Sequence, residues 1–160
     1  MIITSLTISE YLAEFFVGKY NEGNDGPVKI PDNTDVYHLI WQLMGKRPAN
    51  TSLVSQGNLA LMLPDRRMGK DPLYYNFISA RASQIIEKRI RIEFNNDLHD
   101  LLEQNENQGR PLDNIEVIYA FMEKYGIESI SEDALKKNYY RWRENIRKRK
   151  KRNYTKVNKL

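Results

Sequence analysis

The chain of 160 residues is long enough for one domain with a sizeable core, or one domain plus a small appendage, and its 41% hydrophobic content places it among globular proteins. It contains no cysteine, which excludes disulfides, thiolate metal sites and cysteine nucleophiles and fits a reducing compartment. The modest net charge of +4 hides a strong dipole: residues 136–160 carry 12 Lys and Arg against one acid, Glu144, leaving −7 on residues 1–135, an asymmetry that suits a polyanionic partner.

Met1 to Thr7 has no cationic segment, and Glu10 and Glu14 interrupt the apolar residues beyond it. Neither a signal peptide nor a membrane span is expected, and the protein is expected to be cytoplasmic. Thr7-Ile-Ser-Glu10 fits a capping box, and Ile8, Tyr11, Leu12, Phe15, Phe16 and Tyr20 recur at helical spacing, so a first helix is predicted to about Tyr20. Asn21–Pro27 reads as a loop. Val28 to Ile30 reads as a short extended piece before Pro31.

Asp32, Asn33 and Thr34 offer N-caps for a second helix with Val36, Leu39, Ile40, Leu43 and Met44 inward, ended by Gly45. The helical period is then lost until Pro72. Within that stretch only Asn58 to Leu63 looks ordered, as a short strand or a buried extended segment with Val28–Ile30 as its candidate partner, and Pro64 to Pro72 reads as a turn-rich loop. From Leu73 to about Glu103 a broad apolar face predicts a long helix, kinked or divided at Asn95-Asn96.

Gln104 to Pro111 has no apolar residue and marks a boundary. Beyond it, Asp113-Asn-Ile-Glu116 supplies a reciprocal cap for a helix ending at Gly126, and Ser131 caps a final helix from Glu132. In that last helix Leu135, Tyr139, Trp142 and Ile146 form one stripe that needs a surface to pack on, while cations occupy the other faces. If it continues through Arg152 it must project beyond a small domain, and its like charges from Lys148 to Arg152 are expected to fray it.

Two helices joined by a short connection, the second cationic, have the layout of a helix-turn-helix unit. Phe121-Met-Glu-Lys-Tyr-Gly-Ile127, followed by Ala134-Leu-Lys-Lys-Asn-Tyr-Tyr-Arg-Trp-Arg143, resembles homeodomain-like helix-turn-helix modules of small bacterial and phage DNA-binding proteins. The resemblance covers about a quarter of the chain, and the turn from Gly126 to Ser131 is longer than in the compact version. It implies that Leu135 and Trp142 anchor the second helix while neighbouring polar residues reach DNA. By chemistry, Lys136, Lys137, Asn138, Tyr140 and Arg141 are then placed near base edges, since Arg pairs bidentately with guanine and Asn with adenine. Arg143, Arg147, Lys148, Arg149, Lys150, Lys151 and Arg152 are assigned to phosphates.

Other chemistries are weaker. His99, close to Asp97, Asp100 and Glu103, assembles only two or three metal ligands and reads better as part of a polar helix face. Gly69-Lys70 lacks both the earlier glycine and the following Ser or Thr of a phosphate loop. Trp142 and Ile146 form too narrow a stripe for an interfacial membrane helix.

The expectation is therefore a mainly α-helical protein: a helical domain over 1–105 with a short extended element, a linker at 106–112, a helix-turn-helix unit over 113–152 and a flexible basic tail over 153–160. It is expected to be a non-enzymatic DNA binder of a regulatory or phage or mobile-element kind, without cofactor or metal, whose acidic N-terminal part serves dimerisation or a partner protein. The alternative is an assembly factor or RNA binder whose basic helix docks on an acidic partner.

Overall fold

The computed structural model describes residues 1–21, 24–52, 56–66 and 68–157, with backbone only for 154–157. Parts of three expected loops (22–23, 53–55 and Arg67) and residues 158–160 of the expected tail lie outside the described residues. Within them the chain is mainly helical, in the order β1 (Ile3–Leu6), α1 (Glu10–Tyr20), α2 (Asp35–Leu43), β2 (Leu59–Met62), α3 (Ala80–Asn107), α4 (Asn114–Tyr125) and α5 (Glu132–Val157).

The small sheet differs from expectation. β2 pairs antiparallel with β1, from Ile3 opposite Met62 to Leu6 opposite Leu59, while Val28 adds a single parallel bridge to Leu61. The terminal strand escapes sequence reading because it lacks alternation: Thr4 and Ser5 are buried along with Leu6, so small polar residues occupy positions where an apolar face would have been seen.

α1 starts at Glu10, and its N-cap is Ser9 rather than Thr7. The Ser9 side chain does not cap its own helix. Its hydroxyl and backbone N–H both donate to the Glu87 carboxylate of α3, at 2.5 and 3.0 Å, so a tertiary contact replaces the local box. That hydroxyl bond is the largest influence on Glu87 and, with the backbone bond and Arg91, holds its carboxyl below the usual range against the opposing effect of burial.

The long helix begins seven residues later than its apolar pattern suggests. Residues 71–76 form a turn after which Phe77 exchanges backbone hydrogen bonds with Gly45 (2.9 and 3.1 Å), and only then does Ser79 cap α3 by accepting from the Ala82 N–H at 3.1 Å. From there α3 runs unbroken for 28 residues, about 42 Å at 1.5 Å per residue. Asn95 does not divide it, because its Oδ1 accepts from Asn138 of α5 instead of competing for the backbone.

One apolar cluster extends from Leu6 on β1 to Tyr139 on α5. At its centre Phe94 meets Phe15 edge-on at 5.2 Å and Phe121 at 5.5 Å, joining α1, α3 and α4. The residues between α3 and α4 form a pinned turn, with Gly109 and Arg110 at positive φ. Buried Asn105 clamps it, donating from Nδ2 to the Leu112 carbonyl at 2.8 Å and accepting from the Leu112 N–H at 3.2 Å. α1 reaches across to the next connection: the Glu14 carboxylate accepts from the backbone N–H groups of Glu128 and Ser129, each at 3.0 Å. The α4–α5 turn is thus fastened to the N-terminal part rather than only to its own helices.

Candidate nucleic-acid interface

α4 opens with the expected reciprocal cap of Asp113 and Glu116, and Gly126 closes it in the left-handed region at φ 68°. Ile127, buried, donates its N–H back to the Met122 carbonyl at 2.8 Å, which completes a Schellman-type ending and sets the direction of the following turn. Ser131 then accepts from the Ala134 N–H at 3.2 Å, and α5 begins.

The predicted stripe of α5 faces the protein. Leu135 and Tyr139 are fully buried, and Trp142 packs partly buried on the core. Trp142 stacks on the His99 ring at 4.4 Å and on Tyr139 at 5.9 Å, so an aromatic layer joins α5 to α3. Asn138 meets Asn95 and His99, and Arg143, farther along, meets Glu106, so α5 and α3 run in the same direction. Because α3 ends at Asn107, the cationic half of α5 continues past it.

This packing reassigns two of the residues expected to touch nucleic acid. Asn138 was expected at a base edge, yet its Nδ2 donates to Asn95 Oδ1 (3.1 Å) and its Oδ1 accepts from His99 Nε2 (2.7 Å). Its amide is consumed within the fold because it falls on the α3 side of the stripe. Arg143, expected on a phosphate, forms an ion pair with Glu106 at 2.7 Å and lies over the Tyr139 and Tyr140 rings. His99, read as part of a polar helix face, is only 5% exposed. Burial holds its imidazole below the ordinary value, against the opposing pull of Asn138, Asp100 and Glu103.

Glu106 is the acid that sequence reading overlooked. Burial raises its carboxyl, but Tyr139, Arg143, Arg110 and Asn114 around it prevail and keep it below the usual range. The Tyr139 hydroxyl lies beside it, buried and without a hydrogen bond of standard geometry, and burial first and Glu106 second push that phenol up to about 12. The only sequence signal for this cluster was the spacing of Glu106 and Arg110 at i and i+4.

The remaining candidates face solvent. Lys137 pairs with Asp133 and Lys148 with Glu144, both exposed i,i+4 pairs that solvent screens heavily. Lys136 lies over the Tyr140 ring, whose hydroxyl accepts from Asn114 Nδ2 at 3.4 Å while the ring stays 41% exposed. Among the described residues, Arg141, Arg147, Arg149, Lys150 and Arg152 have no carboxylate within ion-pair distance. They and Lys151 are exposed on a helix that runs to Val157, into the residues assigned to the tail.

The surface is thus a helical rod of six consecutive cations, Arg147 to Arg152, rooted by an aromatic stripe and continuing past the end of α3. Such a rod can neutralise a row of phosphates; among the described residues no group of three or more His, Asp or Glu side chains is placed to hold a metal ion. None of the described helices is long and apolar enough to cross a membrane. The chain matches no family model, no curated protein and no solved structure.

Proposed function

We propose that the protein binds duplex DNA through α5, with the phosphates contacted by Arg147 to Arg152 supplying most of the affinity. The supporting observation is that this half of α5 leaves the core fully helical and exposed, with Arg147, Arg149, Lys150 and Arg152 in no ion pair among the described residues. Fixed cations on a docked helix lose less freedom on binding than cations on a loose tail, so the root of the rod contributes through preorganisation.

Lys136, Lys137, Tyr140 and Arg141 are the outward residues of the docked half and take the base-edge role in this reading. With Asn138 turned inward, the site has lost its natural adenine reader, so phosphate contacts dominate and discrimination between sequences is modest. In place of regulation at one operator, the reading favours occupancy of many duplex sites.

The test is fluorescence anisotropy of a labelled random duplex with the full chain and with Arg147, Arg149 and Arg152 replaced together by Ala. The triple variant is expected to bind at least tenfold more weakly at 100 mM salt with unchanged circular dichroism. Equal binding by both proteins would remove α5 as the DNA contact.

A further inference from the structure

A second surface lies at the opposite end of α3 from the rod. The backbone bridge between Gly45 and Phe77 brings Lys46 and Arg47 beside Tyr74, Tyr75 and Asn76, and these residues line an open groove of about 510 Å³. The bridge precedes Ala80, the first residue of α3, whereas the rod departs near Asn107, so about 42 Å of helix separates them.

Several cations near this groove already serve the fold. Arg66 lies over the Trp41 and Tyr37 rings at 4.5 and 5.3 Å and donates to His38 Nδ1. Lys70 closes the C-terminal end of α2, donating to the Trp41 and Gln42 carbonyls at 3.1 and 2.5 Å. Gly69, at φ 105°, lets this loop lie against Trp41, where a Cβ would come within 2.6 Å of the ring.

Setting those aside leaves Lys46, Arg47, Leu73 and Tyr74. Lys46 and Arg47 are exposed and have no ion pair among the described residues; Lys46 Nζ lies 5.8 Å from the centre of the Tyr75 ring, which leaves its charge facing solvent. Tyr74 and Leu73 are 67% and 64% exposed, and Tyr74 is the most exposed aromatic among the described residues, ahead of Tyr119 at 59%. Their exposure is held in place rather than loose. Tyr74 and Tyr75 N–H groups both donate to the Asp71 carbonyl, Leu73 N–H donates to Asp71 Oδ1, and Asn76 Nδ2 ties back to the Leu73 carbonyl. Among the described residues, no acid lines the groove.

We infer that this groove binds single-stranded nucleic acid, stacking an unpaired base on the Tyr74 ring while Lys46 and Arg47 take the flanking phosphates. An outward aromatic ring on an anchored backbone, in one groove with two cations free of ion pairs, matches a base and its backbone together. A duplex offers the phosphates but keeps its base faces stacked, and an acidic peptide offers charge without a ring face, so each would leave Tyr74 idle. This site shares no residue with α5 and does not depend on the duplex reading.

The experiment measures anisotropy of labelled dT12 with the full chain in a background in which all six cations from Arg147 to Arg152 are changed to Ala, which removes the rod's charge. Binding of dT12 is expected to persist there, to weaken about tenfold with Tyr74→Ala, to survive Tyr74→Phe, and to weaken with Lys46 and Arg47 both changed to Ala. In the chain with its rod intact, Tyr74→Ala should leave blunt-duplex affinity unchanged. The inference is overturned if dT12 fails to bind without the rod, if Tyr74→Ala has no effect or Tyr74→Phe is equally damaging, or if polyglutamate displaces dT12 at equal charge concentration. Loss of duplex binding with retention of the dT12 response would concern the rod alone.

Discussion

The two halves of α5 have similar cationic chemistry and different physical roles. From Glu132 to Ile146 the helix is part of the protein: Leu135 and Tyr139 are in the core, Asn138 bridges two α3 residues, and Arg143 is neutralised by Glu106. From Arg147 to Arg152, past the end of α3, every side chain of the same helix is exposed. A positive charge in a sequence is therefore not one kind of object. In the first half a cation such as Arg143 stabilises the fold, and in the second half it is available to a partner.

Mutations that separate stability from affinity break or sharpen this comparison. The largest effect is expected for Tyr139→Ala, which empties a fully buried aromatic site between α3 and α5. Urea denaturation should show a loss of about 3–5 kcal/mol. Its companion, Tyr139→Phe, removes a buried hydroxyl without a satisfactory partner and should change stability by less than about 1 kcal/mol in either direction.

Gly18→Ala comes next and tests the frame that holds the α4–α5 turn. On helix propensity alone the change would stabilise by roughly 1 kcal/mol. Here, however, a Cβ would lie 2.2 Å from the Tyr125 carbonyl oxygen, so α1 and α4 must separate and a net loss of about 1–3 kcal/mol is expected by thermal or urea unfolding. A gain in stability would mean that the two helices approach less closely than described.

Arg143→Ala should cost about 1–2 kcal/mol, since it leaves the half-buried Glu106 with fewer partners and uncovers the Tyr139 ring. Arg147→Ala should cost less than about 0.5 kcal/mol. Similar losses from both would erase the distinction between the halves.

A smaller, pH-dependent effect comes from His99. Its folded imidazole is harder to protonate than the unfolded one, so its contribution to stability is complete above the ordinary imidazole pKa. As pH falls through and below that value the unfolded chain takes up the proton first, and stability should decline until the lowered folded pKa is passed. Chemical denaturation between pH 8 and 5 should show this decline, and His99→Gln should flatten it.

Much of the fold could be read from the sequence where local signals and tertiary contacts agree. The reciprocal cap of Asp113 and Glu116, the left-handed Gly126 and the α5 stripe are short-range patterns, and all occur in the structure. The failures share one cause: a distant residue supplied what a local one was expected to supply. Glu87 took over at Ser9, the strand Ile3–Leu6 replaced Val28–Ile30 as the main partner of β2, and Asn95 found Asn138. The candidate interface divides along the same line. Charge density marked out Arg147 to Arg152, but no spacing rule could show that Glu106 would claim Arg143 or that Asn95 and His99 would claim Asn138.

The most direct measurement is the salt dependence of random-duplex affinity, compared between the unmodified chain and the variant lacking Arg147, Arg149 and Arg152. If the rod's six cations engage phosphates, log K should fall with log salt at a slope of about −5, and the variant's slope should be shallower by about 3. A flat dependence for the unmodified chain, or the same slope for both proteins, would contradict the assignment of α5's projecting half to DNA.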